Sequence, residues 1–345
     1  MVEKLEFCGL KQSKLDLCLF IGETVISVIY VDNILLWSTE DQNMIDLTKL
    51  LNIEGVDLEE ENDAAGFLGV QLTKTAGGSM MMTQEGLIER IIETIGLNVD
   101  HNTPKATPCM KDPLTKDLDG DPFSESFAYG SIVVMLLYLA LHSIPDIDYS
   151  VSQVARFTFC PKHSHEAGLN FIGWYLIGTH NKGLLITPTR DFNIDAYPDA
   201  DFTDLYNDEE HNDPICVRIR TGFVINVAGC PVLWKSRIQS KTSTSTMHSE
   251  VIALSSCCQE IIPIIAMVDE VGAAIGLTQS ENSKMHVCIH EYNAGALVLA
   301  LKIPPQFIPA SKHYAVKTHW FRERCIDLGI VVIFFYDRTT RKYLY

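Results

Sequence analysis

The chain has 345 residues, of which 47% are apolar, and a formal net charge of -17. A chain of this length and apolar content can bury ordinary cores, so two or three folded domains are expected. This net negative charge argues against tight, sequence-independent binding of nucleic-acid phosphates, because such binding requires clustered Lys and Arg. It leaves open a site in which local carboxylates hold divalent cations.

The cysteines and the apolar stretches indicate an intracellular protein without a membrane span. The ten cysteines show no paired framework spacing, and Val2, Glu3 and Lys4 do not begin a secretory signal. We therefore expect a reducing compartment, the cytoplasm or the nucleus, and no disulfides. The apolar stretch 132–141 has about half of the roughly 20 residues that span a bilayer, so it predicts a core helix.

The first third of the chain predicts a small sheet followed by a helix. Residues 17–37 alternate apolar segments around two polar breaks, as a β-meander does, and residues 67–73 form another candidate strand. Apolar residues from Leu87 to Ile95 keep helical spacing, and Gly96 is placed to end that helix. Four prolines between residues 101 and 126 then indicate an exposed linker.

The rest of the chain predicts a helical segment and then an α/β domain. Residues 127–142, 147–159 and 165–178 have the pattern of three helices. Strands are predicted at 194–197, 221–227 and 232–235, then a long helix that Pro263 should bend or split. A strand at 285–289 and a helix from Asn293 complete an order typical of an α/β sheet.

Two places in the sequence present acids at the ends of predicted strands or helices. Two-metal nucleotidyl transfer or hydrolysis needs several carboxylates that converge on one point. Asp32 lies at a tight turn between two apolar strands, although such an aspartate is ordinarily a plain turn residue. Asp199 and Asp201 follow a predicted strand, and Glu250 comes early in the long helix.

The residues around these acids resemble the polyproteins of copia-type LTR retrotransposons. Residues 30–33 (YVDN) resemble the YVDD box of the family's reverse transcriptase, and residues 199–201 and 249–254 resemble the first two acidic motifs of its RNase H. Further matching segments lie ahead of the box and between these motifs, and the resemblance runs from about Leu10 to about Arg324. These segments are residues 12–20, 67–69, 83–85, 138–140, 145–147, 151–153 and 175–179.

The resemblance implies an α/β protein with a partial reverse-transcriptase palm and thumb at 1–105 and a linker with a helical connection at 106–190. It further implies an RNase H-like mixed sheet with flanking helices at 191–336, followed by a tail at 337–345. An active domain of this kind would cleave the RNA strand of an RNA/DNA hybrid with Mg²⁺ or Mn²⁺. The implied metal ligands are Asp199, Asp201 and Glu250 in the RNase H part and Asp32 in the polymerase box. Of these, Asp32, Asp199 and Glu250 are the implied catalytic residues. The implied partners are an RNA/DNA hybrid or single-stranded nucleic acid and other pieces of the polyprotein.

The polymerase part departs from the family pattern. Only 31 residues precede Asp32, and no segment among them matches the upstream motif that supplies another metal-binding Asp. Asn33 stands where the box has its second Asp, so a carboxylate is replaced by a neutral amide of similar size. We therefore expect the polymerase activity to be lost.

The RNase H part departs at its third and fourth acids. Tyr292 stands where relatives have Asp, and a phenol is neutral near pH 7. Glu291 is one residue away, and a shift by one residue on a strand points a side chain to the other face, so we do not expect it to substitute. Ala315 occupies the fourth position, to which His313 or His319 can contribute. RNase H activity is thus left open.

Two interpretations of the sequence in which the protein is not an enzyme also stay open. One is a noncatalytic nucleic-acid-binding or interaction protein derived from a retroelement, and the other is the translation of an unexpressed pseudogene. For nucleic acid, Lys235, Arg237 and Lys241 beside Trp234 form the best basic patch, although such runs are usually only solvated.

A second metal site is a further sequence hypothesis. His286, Cys288 and His290 alternate along one predicted strand and therefore share a face. With Cys257 or Cys258 they can make a zinc site; alternatively, Cys288 is a core residue that the histidines flank.

Overall fold

The structure is a computed structural model and describes residues 1–59, 65–97, 103–201, 214–239, 245–276, 285–301 and 315–335. The chain divides into two compact units. One comprises Met1–Thr73 with Gln259–Lys284, and the other comprises Lys74–Cys258 with Met285–Tyr345. This division follows backbone packing, and the functional domains 1–105, 106–190 and 191–336 stay a prediction.

The first unit contains the predicted meander. Its antiparallel sheet has the order β1-β2-β3-β4, and two helices supply the apolar side chains Leu5, Leu47 and Leu51 to the core beneath it. A short hairpin follows. The elements are α1 (Val2–Phe7), β1 (Lys11–Gln12), β2 (Leu19–Ile21), β3 (Val25–Tyr30), β4 (Asn33–Ser38), α2 (Asp41–Ile53), β5 (Ala65–Phe67) and β6 (Val70–Lys74).

The second unit begins with a helical layer close to the predicted one. Its core is formed by buried side chains such as Ile88, Leu136, Val151 and Ile172, one from each of four helices. Two short strands pair antiparallel at its edge. The elements are β7 (Met80–Thr83), α3 (Glu85–Thr94), α4 (Tyr129–His142), a 3-10 turn (Pro145–Ile147), α5 (Asp148–Ala155), α6 (His163–Thr179) and β8 (Leu184–Ile186).

A five-stranded mixed sheet completes the second unit. Its order is β11-β10-β9-β12-β13: the first three strands are antiparallel neighbours, whereas β12 runs parallel to both β9 and β13. The elements are β9 (Ile194–Asp201), a 3-10 turn (Pro214–Val217), β10 (Arg220–Val227), β11 (Cys230–Ile238), α7 (Thr246–Ala274), β12 (Val287–Glu291), α8 (Ala294–Leu301), α9 (Ala315–Leu328) and β13 (Val331–Phe334). The part of α7 from Gln259 onward belongs to the first unit. This arrangement confirms the predicted α/β class and the mixed sheet with flanking helices.

Helix α7 differs from its prediction in one respect. It is a single helix through Pro263 rather than a split one. Of the described helices it alone is long and apolar enough to cross a membrane by length and composition, which the stretch 132–141 is not. Half of its most apolar part is buried in the fold, and a core helix passes the same test.

Candidate metal centre

The first acid of the candidate site, Asp199, lies near the C-terminal end of β9. Its side chain is 1% exposed, and its Oδ1 accepts a hydrogen bond from the backbone N–H of Ala200 at 2.9 Å. The residue opposite it on β10 is Gly222, which has no side chain to cover it. Asp201 ends the same strand and is half-buried. Because β9 is longer than the predicted 194–197, both acids lie within the strand rather than after it.

A second buried carboxylate, Glu291, lies at the C-terminal end of the neighbouring strand β12. Its side chain is 1% exposed, and its Oε1 accepts a hydrogen bond from the backbone N–H of Asn293 at 2.6 Å. Burial, and secondarily the charge of Asp199, raise the pKa of Glu291 to about 8. The two carboxylates are therefore close enough to repel each other when both are charged.

The pairing of β12 with β9 shows on which face of the sheet the Glu291 side chain lies. Val287 and Ile289, which have the same parity on β12, pair with Ile194 and Ala196 on β9. Those residues share their side of the sheet with Ala200, which α7 covers. Glu291 does point to the opposite face from Tyr292, as expected, but this is the face on which α7 lies. By the same alternation Asp199 points to the face opposite to Ala200, so the pairing does not place Glu291 and Asp199 on one face. The expectation that Glu291 does not substitute for the lost acid stays a prediction.

Glu250 is positioned by the packing of the first turns of α7. Met247 lies against the start of α8, since a Cβ built on Gly295 would come within 3.2 Å of its Sδ. Ala253 forms a buried cluster with Ala200 and Ile219. Residues three apart on a helix share a face, so Glu250 lies between these two contacts. It is 6% exposed.

The remaining positions of the predicted acid set carry no carboxylate. Tyr292 packs edge-on against Phe335, with ring centroids 5.4 Å apart. Ala315 is the first residue of α9, His319 is exposed one turn later, and His313 lies outside the described residues. In the described part of the chain, the acids Asp199, Asp201, Glu250 and Glu291 do not form a group of three with oxygens all within 4.8 Å of one another.

The comparisons with known proteins agree with the resemblance carried by the motifs. No protein-family model matches the chain. The Pol polyprotein of transposon RE1 from Arabidopsis thaliana is 25% identical over 320 residues, which is 92% of this chain and 20% of that protein. The Pol polyprotein of transposon TNT 1-94 from Nicotiana tabacum is 25% identical over 318 residues, 90% of this chain and 22% of that protein.

This chain is a homologue of transposon Pol polyproteins. It spans about a fifth of the length of those relatives. Among solved structures it is similar to LC11-RNase H1, isolated from compost by a metagenomic approach, with 13% identity and a TM-score of 0.29 over 44% of this chain and 89% of that one.

The box that resembles the polymerase motif of Pol polyproteins forms a tight hairpin. Tyr30 and Asn33 pair across it, and Val31 and Asp32 make the two-residue loop. Val31 has φ +53°, a conformation that is costly for a β-branched residue. Asp32 and Asn33 are both exposed. The hairpin thus presents one carboxylate to solvent where the family motif has two.

The basic patch of this Pol homologue is less open than the sequence predicted. Lys235 Nζ lies 5.8 Å from the centroid of the Phe223 ring, and Arg237 is exposed two residues later. Both lie near enough to Asp148 on α5 to act on its charge: burial raises the pKa of Asp148 to about 6, and these cations partly oppose the rise. Lys241 lies outside the described residues.

Trp234 does not belong to that patch. It precedes Lys235 on β11, so its side chain points to the other face, and its Nε1–H donates to Ala140 O at 2.8 Å. The expectation that Trp234 lies beside the basic residues is wrong, because the indole points to the other face and hydrogen-bonds to α4.

The predicted zinc ligands of the Pol homologue have neighbours other than those that the sequence predicted. Cys288 and His290 share a face of β12, but their acidic neighbour is Asp195 of β9 rather than Cys257 or Cys258 of α7. Burial, and then the charge of Asp195, raise the pKa of the Cys288 thiol. Without a cation the thiol is therefore protonated near neutral pH, which excludes an activated nucleophile. Spacing along β12 indicated two of these donors, whereas Asp195 follows only from strand pairing.

Proposed function

We propose that the chain is a piece of a retrotransposon Pol polyprotein whose RNase H-like domain cleaves the RNA strand of an RNA/DNA hybrid, while its polymerase box no longer supports synthesis. The placement of Glu291 supports this most strongly. It brings a buried carboxylate to the side of the sheet that α7 covers, close enough to Asp199 for that charge to raise its pKa, and next in the chain to Tyr292, which replaces the expected acid.

The donor set fits Mg²⁺ or Mn²⁺. Asp199, Glu250 and Glu291 offer only carboxylate oxygens, the ligands that these hard cations prefer. Among the described residues, Glu291 Oε2 is buried without a hydrogen-bond partner. A buried carboxylate oxygen is costly unless it is protonated or compensated by a cation. Bound here, the ion would supply positive charge and Lewis acidity for phosphodiester hydrolysis.

The protein side chains have separable tasks in this proposal. Asp199 is held by the Ala200 N–H and by the rigid strand, so its carboxylate is fixed before substrate arrives. Glu250 is carried on a helix that packs against the sheet and would close the oxygen set from the other side. Glu291 would give up its proton as the cation binds, since metal ligation requires the charged form.

The hairpin supports the loss of polymerase function. Asn33 contributes no charge, and Asp32 is exposed at the tip of the loop. A single carboxylate from this box neutralises too little of the charge of two divalent cations. This Pol homologue would therefore retain the shape of the polymerase motif without its chemistry.

A second candidate function is noncatalytic binding of nucleic acid or of another protein. Two observations favour it: the phenol at Tyr292, and the lack of a set of three carboxylates within 4.8 Å of one another in the described part of the chain. In this case the carboxylates would be remnants that hold no catalytic ion.

A cleavage assay separates the two candidates. A labelled RNA/DNA hybrid is incubated with Mg²⁺ or Mn²⁺ and the native chain, Glu250→Gln, Glu291→Gln or the control Glu89→Gln, which alters an exposed glutamate of α3. We expect the first two variants to lose about 100-fold or more in rate, because ligand loss costs several kcal/mol of charge stabilisation. The control should cleave like the native chain.

Two outcomes would overturn the enzymatic proposal. Cleavage that persists in Glu250→Gln and Glu291→Gln would come from another site or a contaminant. The absence of cleavage by every protein would favour the noncatalytic candidate.

A further inference from the structure

A group of three dissimilar metal-ligating side chains lies on β9 and β12. Asp195 and Cys288 are direct neighbours in the parallel register of the two strands, and His290 is two residues beyond Cys288 on the same face. Their ligand atoms all lie within 4.8 Å of one another. Among the described residues, no other group of three or more His, Cys, Asp or Glu comes this close.

The imidazole of this group is held rigidly. The ring of His290 stacks on Tyr197 with centroids 4.5 Å apart and planes 9° apart, and Phe335 meets it edge-on at 5.2 Å. His290 Nε2 lies 2.8 Å from Asp195 Oδ1. The two central strands and the two aromatic rings thus fix the donor atoms before any ligand arrives, as a preorganised metal site requires.

The group also has a buried nitrogen that the described fold does not satisfy. His290 is 8% exposed, and its Nδ1 is buried without a hydrogen-bond partner among the described residues. The Asp195 side chain is 30% exposed and opens the group to solvent. An ion can therefore reach the donors from the Asp195 side without disrupting the sheet.

We propose that Asp195, Cys288 and His290 form a binding site for a zinc-class divalent cation. Thiolate sulfur, imidazole nitrogen and carboxylate oxygen are the three donor types that zinc takes in proteins. The hard cations Mg²⁺ and Ca²⁺ select all-oxygen sets and would not use Cys288. Three protein ligands leave a fourth tetrahedral position for water or an external ligand.

This site is distinct from the all-oxygen site of the proposed function. Asp195 precedes Asp199 by four residues on an extended strand, which corresponds to roughly 13 Å. The donor sets share no residue. Either site can therefore exist without the other, and a metal that reports on sulfur ligation distinguishes them.

Cobalt titration of the full chain under reducing conditions tests the site. We expect one equivalent of Co²⁺ to produce a near-ultraviolet thiolate-to-cobalt charge-transfer band with tetrahedral visible bands, and Zn²⁺ to displace them. Cobalt bound only to carboxylates gives no thiolate band. Cys288→Ser should abolish the band, whereas Cys160→Ser, which changes an exposed cysteine, should retain it.

A second variant guards against loss of structure. Asp195→Asn keeps the thiol and the size of the side chain, and we expect it to weaken Zn²⁺ binding, measured by competition with a chromophoric chelator, by about 10-fold to 100-fold or more. Circular dichroism checks that each variant is folded. The proposal is overturned if the native chain shows no thiolate band, if Cys288→Ser keeps it, or if folded Asp195→Asn binds Zn²⁺ as tightly as the native chain.

Discussion

The residue that changes most between sequence and structure is Glu291. The pleat correctly predicts that it points away from Tyr292, but the sequence does not reveal which face α7 covers. In the fold, Glu291 is buried at the end of β12 and lies within reach of the charge of Asp199. A carboxylate in this place carries a free-energy cost that a cation can offset, which is typical of functional rather than structural acids.

This cost predicts a pH-dependent stability. The ordinary pKa of Glu291 is 4.5, and in the fold it is about 8. Between these values the folded chain holds a proton that the unfolded chain has lost. The stabilisation is therefore complete below about pH 4.5 and is lost as pH rises to about 8, by about 1.4 kcal/mol per pH unit. Asp148, with a pKa of about 6, adds a slope of the same sign at lower pH.

Urea unfolding with a chelator present measures this slope. Between pH 6.5 and 8 the native chain should lose stability, whereas Glu291→Gln, which is neutral at every pH, should lose much less and be the more stable protein at pH 8. The exposed control Glu89→Gln should keep the native slope. Identical slopes for native chain and Glu291→Gln would show that Glu291 titrates normally.

At the scale of elements, α7 is the helix that the sequence describes least well. Pro263 predicts a bend or a break, yet Thr246–Ala274 is one helix. Proline has no N–H to donate to the carbonyl of Gln259. The missing hydrogen bond carries a free-energy cost, and it occurs at a position where the Pro263 side chain is exposed.

Replacing this proline should therefore stabilise the helix. Pro263→Ala restores a donor and removes a ring clash, and we expect the free energy of unfolding to rise by about 1 to 3 kcal/mol. Denaturant unfolding measures the change, with Asp269→Ala, at another exposed position of α7, expected to stay within about 0.5 kcal/mol of the native chain. A neutral or destabilising effect of Pro263→Ala would mean that the helix does not run through residue 263.

At the scale of the whole molecule, ordered motifs and local periodicity predicted the family, the α/β class and the helices near 129–142 and 163–179. Each of these properties depends on residues that are close together in the sequence. The partners of β12 are not, because Asp195 and Cys288 are brought together by pairing of strands that are distant in sequence. The same holds for Asp148 opposite Lys235, and for β13, which no local pattern distinguished.

The central claim is that Asp199, Glu250 and Glu291 from three separate elements serve one cation. Mn²⁺ binding followed by electron paramagnetic resonance tests it directly, in a Cys288→Ser background that removes the thiol site. We predict that Asp199→Asn, Glu250→Gln and Glu291→Gln each weaken Mn²⁺ binding at least about 10-fold, whereas Glu89→Gln does not. Mn²⁺ affinity that is the same in all four variants as in the Cys288→Ser parent would contradict the claim.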